Sequence, residues 1–239
     1  MSGRGKEKLH TGHRQRLKEQ CLASGFDGLP SHQVLELLLF YAMPYKDTNE
    51  LAHQLVDRFG SFAGVVNADY QELLQVNGVG PNTASLLALL PEFFRRYQLD
   101  MFGDRPRIAD RQQLAEYARA LLAGKRYEAM YIVCMDAQHR VTGAPILGEG
   151  TLSEVVVYPR NTVETALRYQ AKFVAFAHNH PGGTLRPSSA DVQLTDQLRA
   201  VLRAVGIVVV DHVIVAGDGY YSFAEHGLIC GETLPTRRI

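Results

Sequence analysis

The spacing of apolar residues changes near residue 100, and this change constrains the fold more than any other feature of the 239-residue sequence. Before it, apolar residues recur every three or four positions, as in SHQVLELLLFYAM and TNELAHQLVDRFG, which is typical of short amphipathic helices. After it, β-branched and aromatic runs such as MYIVCM alternate with helical segments. We therefore predict a mixed α/β protein that begins with a small helical bundle.

A polar stretch, DMFGDRPRIAD at residues 100–110, separates the two patterns and is the predicted linker. We predict a helical domain over residues 1–103 and a domain with a mixed β-sheet flanked by helices over residues 111–239. Strands are expected at YEAMYIVCMD, GTLSEVVVYP, KFVAFAHNH and IVVVDHVIVAG. Helix N-caps are expected at Ser31, at Asn161 or Thr162, and at Ser188.

Composition excludes several classes of protein. Lys and Arg together equal Asp and Glu at 25 each, so no net field draws the chain to nucleic acid or membrane. The three cysteines are widely spaced and form no C-x-x-C, which argues against disulfides and a Cys-based zinc site and favours the cytoplasm. No apolar run is long enough for a membrane span. The basic first twenty residues predict either a solvated end or weak phosphate binding.

The segment VNGVGPNTASLLAL predicts a sharp turn at Gly78 and Gly80 that opens a helix, whose free N–H groups suit a phosphate. This pattern is typical of the helix-hairpin-helix module, which binds nucleic-acid backbones. Pro81-Asn82-Thr83 follows where DNA-binding versions usually carry Lys or Arg, and two acidic residues precede the turn. Two interpretations therefore stay open: a structural or protein-docking turn, and weak DNA contact through Gly78 and Gly80.

The segment HNHPGGTLRPSSAD, residues 178–191, predicts a metal site. His178 and His180 are two apart on a strand, so both side chains project from one face. Asp191 follows in the first turn of the next helix and can supply a third ligand, which leaves a fourth zinc position open for water. Ser188 and Asp191 also form a helix-capping pattern that needs no metal. Capping does not explain two histidines at the end of an apolar strand, and we therefore favour metal binding.

The same segment resembles the H-x-H-x(7)-S-x-x-D core of the JAB/MPN (JAMM) zinc metalloprotease fold. More narrowly, GTLSEVVVYPR, ALRYQAKFVAFAHNHPGG, PSSAD and DHVIV are similar to the bacterial RadC family. GHRQRLKE, LELLLFYAMPYKDTNELAHQL and VNGVGPNTAS resemble the helical region that precedes the JAB-like domain in that family. The resemblance covers nearly the whole chain.

The resemblance implies that His178, His180 and Asp191 bind Zn²⁺ and that the Ser188 hydroxyl helps to hold a tetrahedral oxyanion. It also implies a general base, a glutamate at the start of an early central strand. Glu128 in KRYEAMYIVCMD matches this position best. The alternatives are Glu149, Glu154 and Glu164.

The chain departs from the family pattern at two places. Pro181-Gly182-Gly183 stands where RadC-type sequences commonly read Pro-Ser-Gly, so one hydroxyl near the metal is missing. Tyr158-Pro159-Arg160-Asn161 replaces a frequent His-Pro-Arg-Glu. Neither departure removes a predicted ligand. Asp211-His212, another family feature, lies in an apolar strand and is interpreted as structural.

Two functions follow as hypotheses. The first is a JAMM-type zinc-dependent hydrolase, a metallopeptidase or isopeptidase that attacks a peptide or protein substrate with zinc-activated water. The alternative is a DNA-associated repair or binding protein in which zinc is structural or vestigial. A zinc-dependent nuclease is a third hypothesis.

Overall fold

The computed structural model of this chain describes residues 4–150, 157–231 and 234. The chain forms two compact units, the first ending at Phe93 and the second beginning at Phe94. No helix within the described ranges combines the length and apolar character that a membrane crossing requires.

The first unit is helical, as predicted. Its core joins leucines of several helices, including Leu35 and Leu39, Leu55, Leu73 and Leu87, all of them fully buried. Within the described residues the helices are α1 (Arg4–Ser24), α2 (Ser31–Ala42), α3 (Asn49–Phe59), α4 (Phe62–Val66), α5 (Tyr70–Leu74) and α6 (Pro81–Met101), and the boundary between the units falls within α6.

The predicted end of α3 is correct, but the predicted N-cap of α2 is not. Gly60 adopts a left-handed φ of 84° and closes α3, as the pattern predicts. The predicted cap at Ser31 is wrong, because Pro30 occupies the N-cap position and no side chain caps that end. The ring of Pro30 fixes its φ at −68°, and the extended residue before the helix places Ser31 inside the first turn.

The basic residues near the N-terminus belong to α1, which begins at Arg4. The guanidinium of Arg14 donates hydrogen bonds to backbone carbonyls in the loop between α2 and α3, those of Met43, Pro44 and Lys46. The ammonium of Lys18 lies 5.0 Å from the centre of the Tyr41 ring. These two cations therefore stabilise the first unit, and the prediction of a solvated end is wrong for them.

The second unit contains the predicted mixed sheet. The strand order is β2-β1-β4-β5-β6, with β3 also paired to β1; β4 and β5 are parallel and the other pairs antiparallel. The elements are α7 (Arg111–Leu122), β1 (Ala129–Met135), β2 (Val141–Gly143), β3 (Ile146–Glu149), α8 (Pro159–Arg168), β4 (Phe173–Asn179), α9 (Ser189–Ala204), β5 (Val208–Ala216) and β6 (Gly219–Ser222).

One strand predicted in this unit lies largely outside the described residues, and the predicted N-cap of α8 is wrong. The strand expected at GTLSEVVVYP lies largely outside the described residues, since residues 151–156 are not described, and Glu154 lies outside them as well. The N-cap of α8 is Tyr158 rather than Asn161 or Thr162. The helix starts earlier than predicted because Pro159 occupies its first position, where a proline lacks only an N–H that would be unpaired there.

Helices cover both faces of the sheet. Phe173, Ala175 and Ala177 of β4 face the core formed with α7, and Val174 and Phe176 face the core formed with α8 and α9. The alternation continues to the end of the strand. His178 and, two positions later, His180 therefore lie on the face of α8 and α9.

A bulge in β5 places a third histidine on this face. Val174 pairs with Val209, but the next residue, Ala175, pairs with Asp211, so Val210 is an extra residue in β5. The inserted residue shifts the alternation by one position. His212 therefore lies on the same face as Ile214, whose side chain packs in the core of α8 and α9.

Candidate metal centre

The structure brings His178, His180 and Asp191 together where β4 ends and α9 begins. One potential ligand atom from each lies within 4.8 Å of the others. The two Nε2 atoms are 2.8 Å apart, Asp191 Oδ1 is 3.4 Å from His178 Nε2, and Asp191 Oδ2 is 3.5 Å from His180 Nε2. His178 is buried, and the other two residues are partly exposed. These three side chains could bind a metal ion.

The hydrogen bonds of His180 leave one nitrogen directed at this group. Its Nδ1 lies 2.7 Å from the carbonyl oxygen of Thr184, and because a carbonyl only accepts, Nδ1 must carry the hydrogen. In neutral His180 the lone pair is therefore on Nε2, which faces His178 and Asp191. A nitrogen and a carboxylate directed at one point need a proton or a cation between them.

The carboxylate of Asp191 affects the pKa values of both His178 and His180. Burial lowers the pKa of His178 to about 4, so its ring is neutral near pH 7. The hydrogen bond with Asp191 raises the pKa of His180 against the opposing effect of burial. Burial likewise opposes the shift at Asp191, but hydrogen bonds with His180 and Ser188 and the influence of His178 hold the pKa of Asp191 well below its usual range. The carboxylate is therefore anionic, as a metal ligand must be.

The capping box of α9 orients that carboxylate. The backbone N–H and the Oγ of Ser188 each donate to Asp191 Oδ2 over 2.7 Å, and the N–H of Asp191 donates to Ser188 Oγ over 3.1 Å. The predicted cap at Ser188 is confirmed. Because Oδ2 is held by Ser188, Oδ1 is left to face His178. Capping and metal binding are compatible uses of the same residues.

Glu128 precedes β1 on the histidine side of the sheet. In the antiparallel pairing of β1 with β4, Met130 lies opposite His178. Extended two residues beyond this last pair, the register would set Glu128 opposite His180 and on the same face as Met130. After the effects of Asp191 and Thr184, the charge of Glu128 also raises the pKa of His180.

Of the alternative candidates, Glu149 and Glu164 lie within the described residues, and each is paired with a cation. Glu149, exposed on the edge strand β3, accepts a hydrogen bond from Lys125 Nζ over 2.9 Å. Glu164, exposed on α8, accepts one from Arg168 over 3.0 Å. The register of β1 and β4 favours Glu128 over these two as the candidate glutamate.

Asn179, between the two histidines, was not predicted to have a role. Its side chain lies on the opposite face, where Oδ1 accepts from the N–H of Ala129 over 2.8 Å. Its Nδ2 donates to the carbonyls of Lys125 and Tyr127 over 3.3 and 3.0 Å. Asn179 therefore holds the segment that carries Glu128. The only signal in the sequence was its position inside His-Asn-His.

The neighbouring residues Asp211 and His212 lie in two different environments. Asp211 is fully buried and accepts from Ser222 Oγ over 2.6 Å and from the N–H groups of His212 and Ala224 over 2.7 and 3.0 Å, which fits the structural interpretation. Burial raises the pKa of Asp211. His212 instead contacts a predicted ligand, since its Nε2 lies 2.7 Å from Nδ1 of His178. No local pattern in the sequence indicates this contact.

Gly78 and Gly80 lie in the first unit, in the turn between α5 and α6. Gly78 has a left-handed φ of 92°, and Gly80 directly precedes α6. The acidic residues before the turn belong to the capping box of α5, in which Asp69 accepts from the N–H of Gln71 and Glu72 from that of Asp69. The two predicted helices and the turn between them are thus present.

Comparison with known proteins gives consistent matches. Residues 108–228 match the family model of the RadC-like JAB domain. A UPF0758 protein of Fusobacterium nucleatum is 31% identical over 230 residues, which cover 93% of this chain and 99% of that protein. UPF0758 proteins of Methylibium petroleiphilum and Variovorax paradoxus are 37% and 36% identical, and each match covers 90% of this chain and 96% of the relative.

Proposed function

Because this chain belongs to the family of RadC-like JAB domains, we propose that it is a zinc-dependent hydrolase that cleaves a peptide or isopeptide bond. The observation that carries this proposal is the convergence of two imidazoles and one carboxylate at the end of β4. Three such ligands leave a fourth position of a tetrahedral zinc site open, which is the arrangement of catalytic rather than structural zinc.

The donor set fits zinc. Imidazole nitrogen and carboxylate oxygen are both common ligands of Zn²⁺, and His178, His180 and Asp191 supply two of the first and one of the second. When bound, the ion would lower the pKa of a water molecule toward ~7 and polarise the carbonyl under attack.

Glu128 is the proposed general base. Its carboxylate accepts a proton from the attacking water and passes it to the leaving amine nitrogen, so that neither a free hydroxide nor an amine anion is needed. Its register position opposite His180 supports this role. The hydrogen bonds of Asn179 to Ala129 and Tyr127, on either side of Glu128, keep the backbone of this residue in place.

Ser188 is the proposed oxyanion donor. Asp191 Oδ2 accepts two hydrogen bonds from Ser188, one from the backbone N–H and one from the hydroxyl. The backbone bond alone can hold the carboxylate, so the hydroxyl is able to rotate and donate to the substrate oxygen as negative charge develops there.

The test of this function compares the parent with Glu128→Gln on fluorogenic peptides and ε-linked isopeptides. We expect Glu128→Gln to retain one zinc per chain and to lose hydrolysis by roughly 100-fold or more, the usual contribution of a general base. Glu149→Gln, in which an exposed edge glutamate changes instead, is the matched control and should cleave like the parent. Cleavage by Glu128→Gln at the parental rate contradicts the assignment of the base.

Metal analysis tests the zinc site separately. Purified parent protein should contain about one zinc per chain, and His178→Ala should contain little, because a site with two remaining ligands binds zinc far more weakly. A parent without stoichiometric zinc, even after incubation with the metal, would argue against the proposed hydrolase.

A second candidate function is weak DNA binding by the first unit. It is supported by the left-handed turn at Gly78 and by the N-terminus of α6 that follows it. The probe is a short duplex whose affinity is measured over a range of salt concentrations. Binding through phosphates should weaken steeply as salt increases, and affinity weaker than micromolar at low salt would exclude this role.

A further inference from the structure

A chain of three short hydrogen-bonding contacts runs from the ring of His178 back to the residue that supplies the third ligand. His178 Nδ1 lies 2.7 Å from His212 Nε2, and His212 Nδ1 lies 2.6 Å from Thr195 Oγ1. Thr195 Oγ1 in turn donates to the backbone carbonyl of Asp191 over 2.6 Å. All three side chains are at most 4% exposed, so no bulk water competes for these contacts.

The contact between Thr195 and the carbonyl of Asp191 determines where the hydrogens lie in this series of hydrogen bonds. The carbonyl of Asp191 can only accept, so the single hydroxyl hydrogen of Thr195 points to it. Thr195 Oγ1 must then accept from His212, which places a hydrogen on His212 Nδ1. A charged ring at this fully buried position would be costly, and a neutral His212 carries no second hydrogen. Its Nε2 is therefore an acceptor.

The hydrogen between His178 and His212 is fixed by the same chemistry. Because His212 Nε2 accepts, the hydrogen between the two rings belongs to Nδ1 of His178. A neutral His178 then has its lone pair on Nε2, the atom that lies 2.8 Å from His180 Nε2 and 3.4 Å from Asp191 Oδ1. This is the tautomer that a metal ligand needs at that nitrogen.

We propose that His212 and Thr195 are positioning residues, which fix the tautomer of His178 and hold the first turn of α9, with Asp191, against the sheet. This positioning role depends on the proposed metal site, to which it adds two residues that are not themselves ligands. Thr195 lies four residues after Asp191 on α9, while His178 and His212 lie on neighbouring strands. These hydrogen-bonded contacts thus link two candidate ligands, His178 and Asp191, through β4, β5 and α9.

The surroundings of His212 fix its ring in the required orientation. Phe223 stacks on it with the ring centres 4.6 Å apart, and Phe176 meets it edge to face at 5.7 Å. The bulge at Val210 is what turns His212 to this face of the sheet. These contacts leave the two nitrogens of His212 to His178 and Thr195.

The first experiment reads the tautomer without metal. Long-range ¹H–¹⁵N NMR spectra of the histidine rings in the metal-free, full-length protein show which nitrogen of His178 carries the hydrogen. We expect the Nδ1–H form for both His178 and His212. An Nε2–H form at His178 in the parent overturns the proposal.

The second experiment separates hydrogen bonding from packing at residue 195. Thr195→Val keeps the shape of the side chain and removes the hydroxyl, whereas Thr195→Ser keeps the hydroxyl and removes the methyl group. We expect zinc affinity, measured by competition with a chelator, to fall roughly 10- to 100-fold in Thr195→Val and to stay near the parental value in Thr195→Ser. If residue 195 acts only by packing, the order of the two variants reverses, which overturns the proposal.

The two experiments also distinguish this inference from the proposed function. A parent that shows Nδ1–H at His178 but binds no zinc would refute the zinc hydrolase and leave the assigned hydrogen-bond chain standing. Equal zinc affinity of the parent, Thr195→Val and Thr195→Ser would refute the positioning role and leave the zinc site intact. Circular dichroism of each variant confirms that it is folded before it is compared.

Discussion

The pKa of His180 is raised and that of His178 is lowered, so the two imidazoles contribute differently to the pH dependence of zinc binding. Burial lowers the pKa of His178 to about 4, and the hydrogen bond to Asp191 raises the pKa of His180. Below the raised pKa of His180, zinc must displace one proton, and that proton comes from His180. We expect the zinc Kd to rise about tenfold for each unit by which the pH falls in this range, as measured by chelator competition from about pH 8 to about pH 5.

The slope of zinc affinity against pH gives the number of protons that zinc displaces, and we expect one. A slope of two decades per pH unit would mean that His178 is also protonated there, which contradicts its lowered pKa. In the metal-free protein the sign for folding is the opposite of that for zinc binding. Because the folded pKa of His180 is raised, its interaction with Asp191 stabilises the fold fully below the unfolded value, and this contribution is lost as pH rises through the folded value.

Asn179 offers a second prediction for a single residue. In Asn179→Asp the acceptor for the N–H of Ala129 remains, but the donor to the carbonyls of Lys125 and Tyr127 becomes a carboxylate oxygen. We expect the free energy of unfolding to fall by roughly 1–3 kcal/mol in urea titrations near pH 7, because buried acceptors are left unpaired. Asn161→Asp, an exposed change in the first turn of α8, is the control and should not destabilise. Parental stability of Asn179→Asp would show that the amide is dispensable.

The turn between β4 and α9 allows a test of the departure at Gly182. A Cβ added at Gly182 meets no atom within 4 Å, and the φ of Gly182 lies outside the left-handed region. Gly182→Ser should therefore fold with parental stability and introduce a hydroxyl two residues after His180, where RadC-type sequences commonly carry one. Gly183 also has open space but a φ of +82°, so Gly183→Ser should lower the free energy of unfolding by about 1 kcal/mol. Equal thermal stability of the two variants would contradict this distinction.

The elements that carry the ligands could be predicted because their signals are local. The apolar run before His178 indicates a buried strand, and the spacing of Ser188 and Asp191 indicates a helix start. Two-residue alternation and a short turn are then enough to bring the three candidate ligands together. The choice of Glu128 as the proposed general base needed the family resemblance, since nothing near Glu128 in the sequence indicates that β1 lies beside β4.

The contacts behind the ligands could not be predicted, because they depend on pairing between distant strands. A regular alternation through VVVDHVIV would put His212 on the same face as Val210, toward α7. The extra residue in the pairing of β5 with β4 reverses that face, and no residue in the segment signals a bulge. The sequence indicates no partner for Thr195 unless His212 lies on this face, so the hydrogen-bonded contacts from His178 to Asp191 could not be predicted.

At the scale of the whole molecule, metal binding should act on one unit of the chain. The three candidate ligands belong to the second unit, on β4 and α9 and the turn between them, whereas the first unit has its own buried core. A ligand that binds only the folded state stabilises it by about 2.7 kcal/mol at a free concentration of 100 Kd. This stabilisation applies only to those local unfolding events that release the metal.

Hydrogen exchange with and without zinc tests this expectation on the intact protein. At a zinc concentration of about 100 Kd, core amides of β4, β5 and α9 should exchange about 100-fold more slowly, while those of α2 and α3 should keep their metal-free rates. His178→Ala, which lacks a ligand, serves as the control and should show no zinc-dependent change in either unit. Equal slowing in both units would mean that they open as one cooperative structure, because zinc stabilises only those segments whose unfolding destroys its site.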